Sequence, residues 1–367
     1  MNATIKLLKQ LMEFHPVSDD IKSVNKCVSF LENYLSSHNV YTRLEKLNNR
    51  RILYAGTYET KTPSLLFNAH LDVVPADAGG FTFKQKNGWI FGRGSADCLG
   101  NSAVLAQMLI HCKGRADAGV IFSTDEEIGG YTTKAMIDKG YCGKVLLILD
   151  KIGPAYEVAL AQKGVLTLKL IARGKSCHGS EPWTGKNAID RLIQGYTKIK
   201  TLFPAIKKGN EWHTTVSANV VSAGTVFNRV PDYAEMILDI RYTEETLPKL
   251  LARRIRDISG LKVKIESIYP LIYCERSEIV SELIGAMQQS LKHKIKITRL
   301  NAATDARYFA ALKLPIIMLG IPSKNPHASD EKAQIKGMLL YQKMFESLCG
   351  LRLNALCKSG RKDIKPA

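Results

Sequence analysis

Two rhythms of apolar and polar positions divide the chain. In residues 1–150 helical periodicity alternates with short continuous apolar runs. The periodicity predicts helices at 2–14, 20–38 and 99–113, and the runs predict strands at 64–69, 118–124 and 144–149. Such alternation implies a mostly parallel sheet covered by helices. Residues 164–270 read differently. Strand "VLTLKLIAR" precedes a helix from Asn187 to Leu202, and strands "TVSANVVSAG" and "AEMILDIRY" follow. A helix after Thr243 and a last strand, "LKVKIESIY", complete a β-α-β-β-α-β order, which is a ferredoxin-like unit. A helix at 277–292 and strand "LPIIMLG" then restore the first rhythm. The expected fold class is therefore α/β, with a mixed, mostly parallel sheet in a discontinuous larger domain, residues 1–163 and 271–367. A ferredoxin-like α+β domain, residues 164–270, is inserted into it.

Composition narrows the setting. Hydrophobic residues make up 45% and charged residues 23%, as in soluble globular proteins. No apolar stretch approaches the roughly 20 residues that span a bilayer, so no membrane partner is expected. The start, "MNATIKLLKQLMEFHP", lacks a signal peptide's apolar centre and reads as an amphipathic helix. Eight scattered cysteines without a CxxC pair point to free thiols and a cytoplasmic location. The formal charge of +18 is spread along the chain, with one loose cluster in the tail "CKSGRKDIKPA". A nucleic-acid binder would gather that charge in a stripe or motif, so no nucleic-acid partner is expected. Attraction of an anionic small substrate, or a general basic bias, accounts for it better.

Candidate chemistry gathers where the predicted strands end. "SLLFNAH" ends in His70, "GVIFSTDEE" in Asp125, Glu126 and Glu127, and "KVLLILD" in Asp150, while the loop after "LPIIMLG" carries His327. Open α/β sheets collect ligand sites at the carboxyl ends of their strands. Asp72 lies two places after His70, on the same face if the strand continues, where its carboxylate would accept the second ring proton. That pairing suits a metal-ligating histidine and equally a satisfied core histidine. The segment "FGRGSADCLGNSA" holds Asp97 in a turn with Gly92, Gly94 and Gly100, and has neither GxGxxG nor GK[ST]. A carboxylate held there is placed to bridge two cations. Two imidazoles and three carboxylates form an N/O donor set suited to zinc, cobalt or manganese. With one carboxylate shared, five residues can hold two ions about 3.5–4 Å apart. Of the consecutive Glu126 and Glu127, one can ligate while the other serves as general base.

The phrases "NAHLDVVPA", "GRGSADCLGN", "STDEEIGG", "CHGSEPWTGKNA", "NVVSAGTVFNRVP", "LDIRY", "TDARYF" and "PHASDE" occur in the order of a known family. From about residue 5 to 350 the chain resembles the di-zinc aminoacylase and carboxypeptidase family, which includes succinyl-diaminopimelate desuccinylase and acetylornithine deacetylase. The resemblance implies a catalytic metal-binding domain interrupted by a lid and dimerisation domain. It implies that His70, Asp97 and Asp150 hold one ion, and that Glu127, Asp97 and His327 hold the other. Asp72 would orient His70, and Glu126 would be the general base acting on a metal-bridging water. His178 matches a lid histidine that stabilises the oxyanion in the partner's site of a homodimer. Asn219, Asn228 and Arg241 match lid positions, and Thr304 and Arg307 match a stretch that helps hold the substrate carboxylate. The implied activity is hydrolysis of a small N-acyl amino acid, of the deacetylase or desuccinylase type, with a dipeptidase or aminopeptidase as the alternative. The departures lie around the substrate. Asn301-Ala302-Ala303-Thr304-Asp305 stands for the family's Gly-Gly-Thr-Ser-Asp, and Leu99-Gly100 for Lys-Gly. Asp150 occupies a ligand position where Asp goes with aminopeptidases and dipeptidases, and Glu with deacylases and carboxypeptidases.

Overall fold

Strand Leu65–His70 is buried at every position, which requires cover on both faces and places it inside a sheet. It runs parallel to Ala118–Ser123 on one side and Val145–Leu149 on the other, and Ile316–Leu319 lies parallel to Val145–Leu149. The computed structural model describes residues 1–77, 79–207 and 209–351; Cys357 and the basic tail cluster lie outside the described residues. Among the described residues the sheet runs Tyr41–Leu47, Arg50–Gly56, Ala118–Ser123, Leu65–His70, Val145–Leu149, Ile316–Leu319, Glu157–Gln162, Ile272–Tyr273. Its centre is parallel and its flanks are antiparallel. The register pairs His70 with Ser123 and Leu319 with Leu149, so the four parallel strands end together. That shared end is where the candidate residues leave the sheet.

The helices form where sequence and capping agree. Asn2 accepts the Thr4 N–H at the start of Ala3–Met12, and Asp20 accepts the Ser23 N–H at the start of Ile21–Ser37. Helix Leu99–Cys112 is buried over almost its whole length and packs against Ile335–Cys349 and Ala3–Met12. The hairpin Tyr41–Leu47 with Arg50–Gly56 has no counterpart in the apolar-run pattern. Its outer strand is half exposed and carries Arg43, Glu45 and Lys46, so no continuous run marks it.

The described residues group into two compact units. One comprises residues 1–161, 273–298 and 304 onward; the other comprises 162–272 and 299–303. The short piece 299–303 joins the second unit because Leu300 accepts the Lys163 N–H at 3.0 Å. The second unit has a four-stranded antiparallel sheet in the order Thr215–Ala223, Tyr233–Tyr242, Gly164–Arg173, Lys262–Tyr269. Burial alternates strictly along Tyr233–Tyr242. Ala234, Met236, Leu238, Ile240 and Tyr242 form the core with helices Ala188–Lys200 and Pro248–Ser259, and Glu235, Asp239 and Arg241 take the other face. Among the described residues, no helix is long and apolar enough to cross a membrane, and the seven cysteines are free thiols.

Candidate metal centre

His70 ends its strand with only 1% of its surface exposed. Its Nδ1 lies 2.8 Å from the Asp72 backbone carbonyl oxygen. A carbonyl oxygen can only accept, so Nδ1 carries the ring proton and the Nε2 lone pair is turned the other way. There Nε2 meets Asp97 Oδ1 at 2.9 Å and Asp150 Oδ1 at 3.7 Å. Asp72 thus faces the His70 ring proton with its carbonyl as well as its carboxylate. The chain leaves the strand after His70, so the carbonyl of Asp72 receives the ring proton while its carboxylate stands 3.5 Å away. The Asp72 carboxylate also holds the turn beside it. It accepts the Ser18 hydroxyl at 2.7 Å and the backbone N–H groups of Glu126 and Glu127 at 3.1 and 3.3 Å.

Asp97 has its two oxygens on different partners. Oδ1 faces His70, and Oδ2 lies 3.2 Å from His327 Nε2, which in turn lies 3.1 Å from Glu127 Oε1. Burial acts to raise the Asp97 carboxyl, but its bonds to His327 and His70 hold it well below the usual carboxylate range. Bonds from Asp97 and Glu127 push His327 up to about 10. Burial would lower the His70 imidazole, yet Cys98, Asp150, Asp72 and Asp97 together raise it well above its ordinary value. Burial, with Asp97 and Asp305 as like charges, pushes Asp150 up to about 7. Glu126 is raised well above the ordinary glutamate by burial and by the neighbouring Asp150 and Asp305.

These directions share one cause. Lone pairs on two imidazoles and three carboxylates converge at the strand ends, all buried or nearly so except the half-exposed His327, and each pair of donors needs positive charge between them. This donor set suits divalent cations: His70 Nε2 faces Asp97 and Asp150, His327 Nε2 faces Asp97 and Glu127, and the donor atoms of His70, Asp97 and Glu127 lie within 4.8 Å of one another. Cys98 also lies within reach of the His70 and Asp150 donor atoms. Burial keeps its thiol protonated and it donates to the Leu149 carbonyl, so Asp150 is the better donor.

Glu126 lies against the guanidinium of Arg307, whose Nη1 is 3.4 Å from Glu126 Oε1 and whose Nη2 donates to Gly129 O at 2.9 Å. Arg307 is 8% exposed, with its guanidinium also 3.7 Å from Asp305 Oδ1. Thr304 Oγ1 accepts the Ala306 N–H at the start of the short helix that carries Arg307. Between them sits Asp305, which the sequence did not single out. It is buried, accepts the hydroxyls of Ser123 and Thr133, and is pushed up to about 6 by burial. A cavity of about 530 Å³ opens beside His327, lined by Asp77, Lys84, Arg93 and Ser329 among others.

The remaining candidates belong to the second unit. His178 is exposed, and its Nδ1 accepts the Ser180 N–H at 3.2 Å, which leaves Nε2 as the protonated nitrogen of the neutral ring. Asn219 is exposed and accepts the Ser217 hydroxyl at 2.6 Å. Asn228 is exposed, with its carbonyl accepting the Gly179 N–H at 2.7 Å. Arg241 forms a two-pronged pair with Asp239 at 2.8 and 3.0 Å, on the sheet face opposite the helices.

A probable succinyl-diaminopimelate desuccinylase of Staphylococcus aureus (strain Mu50) is 24% identical over 354 residues, covering 83% of this chain and 87% of its own. The fold matches an M20 family metallo-carboxypeptidase from Sulfolobus solfataricus with a TM-score of 0.80 at 16% identity, over 96% of this chain and 99% of that one. It also matches a dinuclear metal-binding peptidase of the M20 family from Bacillus subtilis, with a TM-score of 0.67 at 13% identity, over 96% and 98% of the two chains. Residues 66–350, which run from the His70 strand past the His327 loop, match the peptidase family M20/M25/M40. The chain belongs to that family and is a hydrolase of amide or peptide bonds.

Proposed function

We propose that the chain is a two-metal amidohydrolase that cleaves a small N-acyl amino acid, of the deacetylase or desuccinylase type. The observation that carries this reading is the Asp97 carboxylate, with one oxygen on His70 and the other on His327. The desuccinylase relative, aligned over most of both chains, supports the acyl substrate. The two ions, zinc by preference with cobalt or manganese as alternatives, would polarise the amide carbonyl and make water more acidic. His70, Asp97 and Asp150 would hold one, and Asp97, Glu127 and His327 the other.

Glu126 takes the proton of the attacking water and delivers it to the leaving amine nitrogen. Arg307 fixes its carboxylate, and Asp72 fixes the backbone of Glu126 and Glu127. The second unit acts as lid and dimerisation domain, with Asn219 and Asn228 at the substrate and His178 Nε2–H donating to the oxyanion in the partner's site. Strand Thr215–Ala223 supports a homodimer, because among the described residues it pairs on one side only and leaves Val220 and Val221 exposed. Free thiols support a cytoplasmic location.

A second reading, a dipeptidase or aminopeptidase, is favoured by Asp150 at the position where deacylases of the family carry Glu. Turnover of N-acetyl and N-succinyl amino acids beside dipeptides, each with zinc, cobalt and manganese, separates the two. Cleavage of dipeptides alone overturns the deacylase, and no cleavage of either class overturns both.

A further inference from the structure

His327 is held by something other than its own loop. Its backbone has φ +64°, a left-handed conformation that costs a non-glycine residue energy and persists only when its surroundings impose it. The imposing group is Arg93. Its Nη2 donates to the His327 carbonyl at 2.8 Å and to the Pro75 carbonyl at 3.4 Å, and its Nη1 pairs with Glu331. The other oxygen of Glu331 accepts the N–H groups of Ala96 and Asp97 at 2.9 and 3.1 Å. Arg93 is 5% exposed and Glu331 fully buried, so this ion pair works where water does not compete. The chain of bonds is continuous: His327 carbonyl, Arg93, Glu331, Asp97 backbone.

We infer that Arg93 and Glu331 are positioning residues that lock the His327 loop to the Asp97 turn and so set the spacing of the donors around the second ion. This rests on the two-metal reading above. His70 and Asp150 need no such lock, since each is fixed at the end of a central parallel strand. Arg93 therefore bears on the ion that His327 joins, whereas Glu331 also holds the Asp97 turn, which both ions share. A guanidinium fork can grip Glu331 and the His327 carbonyl together, whereas an ammonium offers no such planar fork.

The test is zinc binding by Arg93→Lys, read by competition with a chelator and by elemental analysis, beside thermal unfolding. Wild type should bind two ions. Loss of an outer partner of a ligand typically weakens a metal about 10–100-fold, and that loss should fall on one ion while the other changes less than about threefold. Glu331→Gln should weaken both ions, because its amide sets N–H₂ either against the Arg93 donors or against the Ala96 and Asp97 N–H groups, and Asp97 serves both ions. Combining Arg93→Lys with His327→Ala should weaken zinc no further than His327→Ala alone. Unchanged affinities in folded Arg93→Lys and Glu331→Gln, equal weakening of both ions in Arg93→Lys, or additive losses in the double variant overturn the inference. A wild-type chain that binds fewer than two ions overturns the two-metal reading and this inference with it.

Discussion

Replacing Asp72 with Asn removes one charge from a group that makes three hydrogen bonds in the core of the site. The amide can keep its oxygen toward the Glu126 N–H and turn its nitrogen toward Ser18 and the Glu127 N–H. Ser18 adapts, since its hydroxyl also lies 3.3 Å from the Val73 carbonyl and its oxygen can accept. The Glu127 N–H cannot adapt and faces another donor. A buried donor left without a partner costs about 1–3 kcal/mol, and weakening the Glu126 bond from charged to neutral adds about 1 kcal/mol. The expected loss of stability is therefore about 2–4 kcal/mol, or roughly 5–15 °C in Tm for a unit of this size. If the loss is felt in the turn that carries Glu126 and Glu127, kcat/KM falls about 30-fold to several hundred-fold. Thermal unfolding and steady-state kinetics on the same preparation check both numbers. Ser18→Ala is the control, removing one adaptable bond and expected to leave kcat/KM within about threefold. An Asp72→Asn protein with wild-type kcat/KM would show that the carboxylate does not hold the turn.

Glu126→Gln should keep both ions and the fold while kcat falls at least about 100-fold; retention of a tenth of wild-type kcat excludes it as the base. Asp97→Ala should disturb both ions and Asp150→Ala mainly one, and elemental analysis at limiting zinc that finds two ions in Asp97→Ala refutes the bridge. Arg307→Lys, which keeps charge but loses the fork on Glu126 and Gly129, should lower kcat with little change in KM; a raised KM at constant kcat would assign Arg307 to the substrate carboxylate, as the family resemblance implies. His178→Ala should lower kcat about 10²–10³-fold, and mixing it with Glu126→Gln subunits should restore activity at a site built from both chains. Confirmed subunit exchange without recovered activity would place His178 in its own site or outside catalysis.

The larger sheet was legible because its central strands are buried on both faces and so appear as unbroken apolar runs, as in Leu65–His70 and Val145–Leu149. The half-exposed hairpin at 41–56 offered no such run. Strand ends marked His70, Glu126, Glu127, Asp150 and His327, since polar residues at the exit of a buried strand stand out against it. Asp72 was visible from its spacing to His70, and its carboxylate does stand 3.5 Å from the His70 ring, but its bonds to the Glu126 and Glu127 N–H groups lie far away in sequence and left no local signal. The same spacing argument would have found the Arg241–Asp239 pair, two residues apart on one face. Glu331 had no local signal. In "PHASDE" it reads as one more solvated loop carboxylate, and only the return of that loop to residues 93–97 buries it.

The parallel centre also fixes an order of assembly. Strand Ile316–Leu319 takes its place beside Val145–Leu149 only after residues 150–315 have been synthesised, and those residues include the whole second antiparallel sheet. A nascent chain exposed through residue 150 already carries His70, Asp97, Glu127 and Asp150, while His327, Arg93's carbonyl partner, is still unmade. Long-range parallel pairing is slow and leaves strand edges open in the meantime. Val145–Leu149 is such an edge, five consecutive apolar residues waiting for a neighbour from the far end of the chain. Truncation before residue 316 would thus leave a sticky half-sheet rather than a smaller working protein, and the ribosome must finish before the second of the two imidazoles arrives.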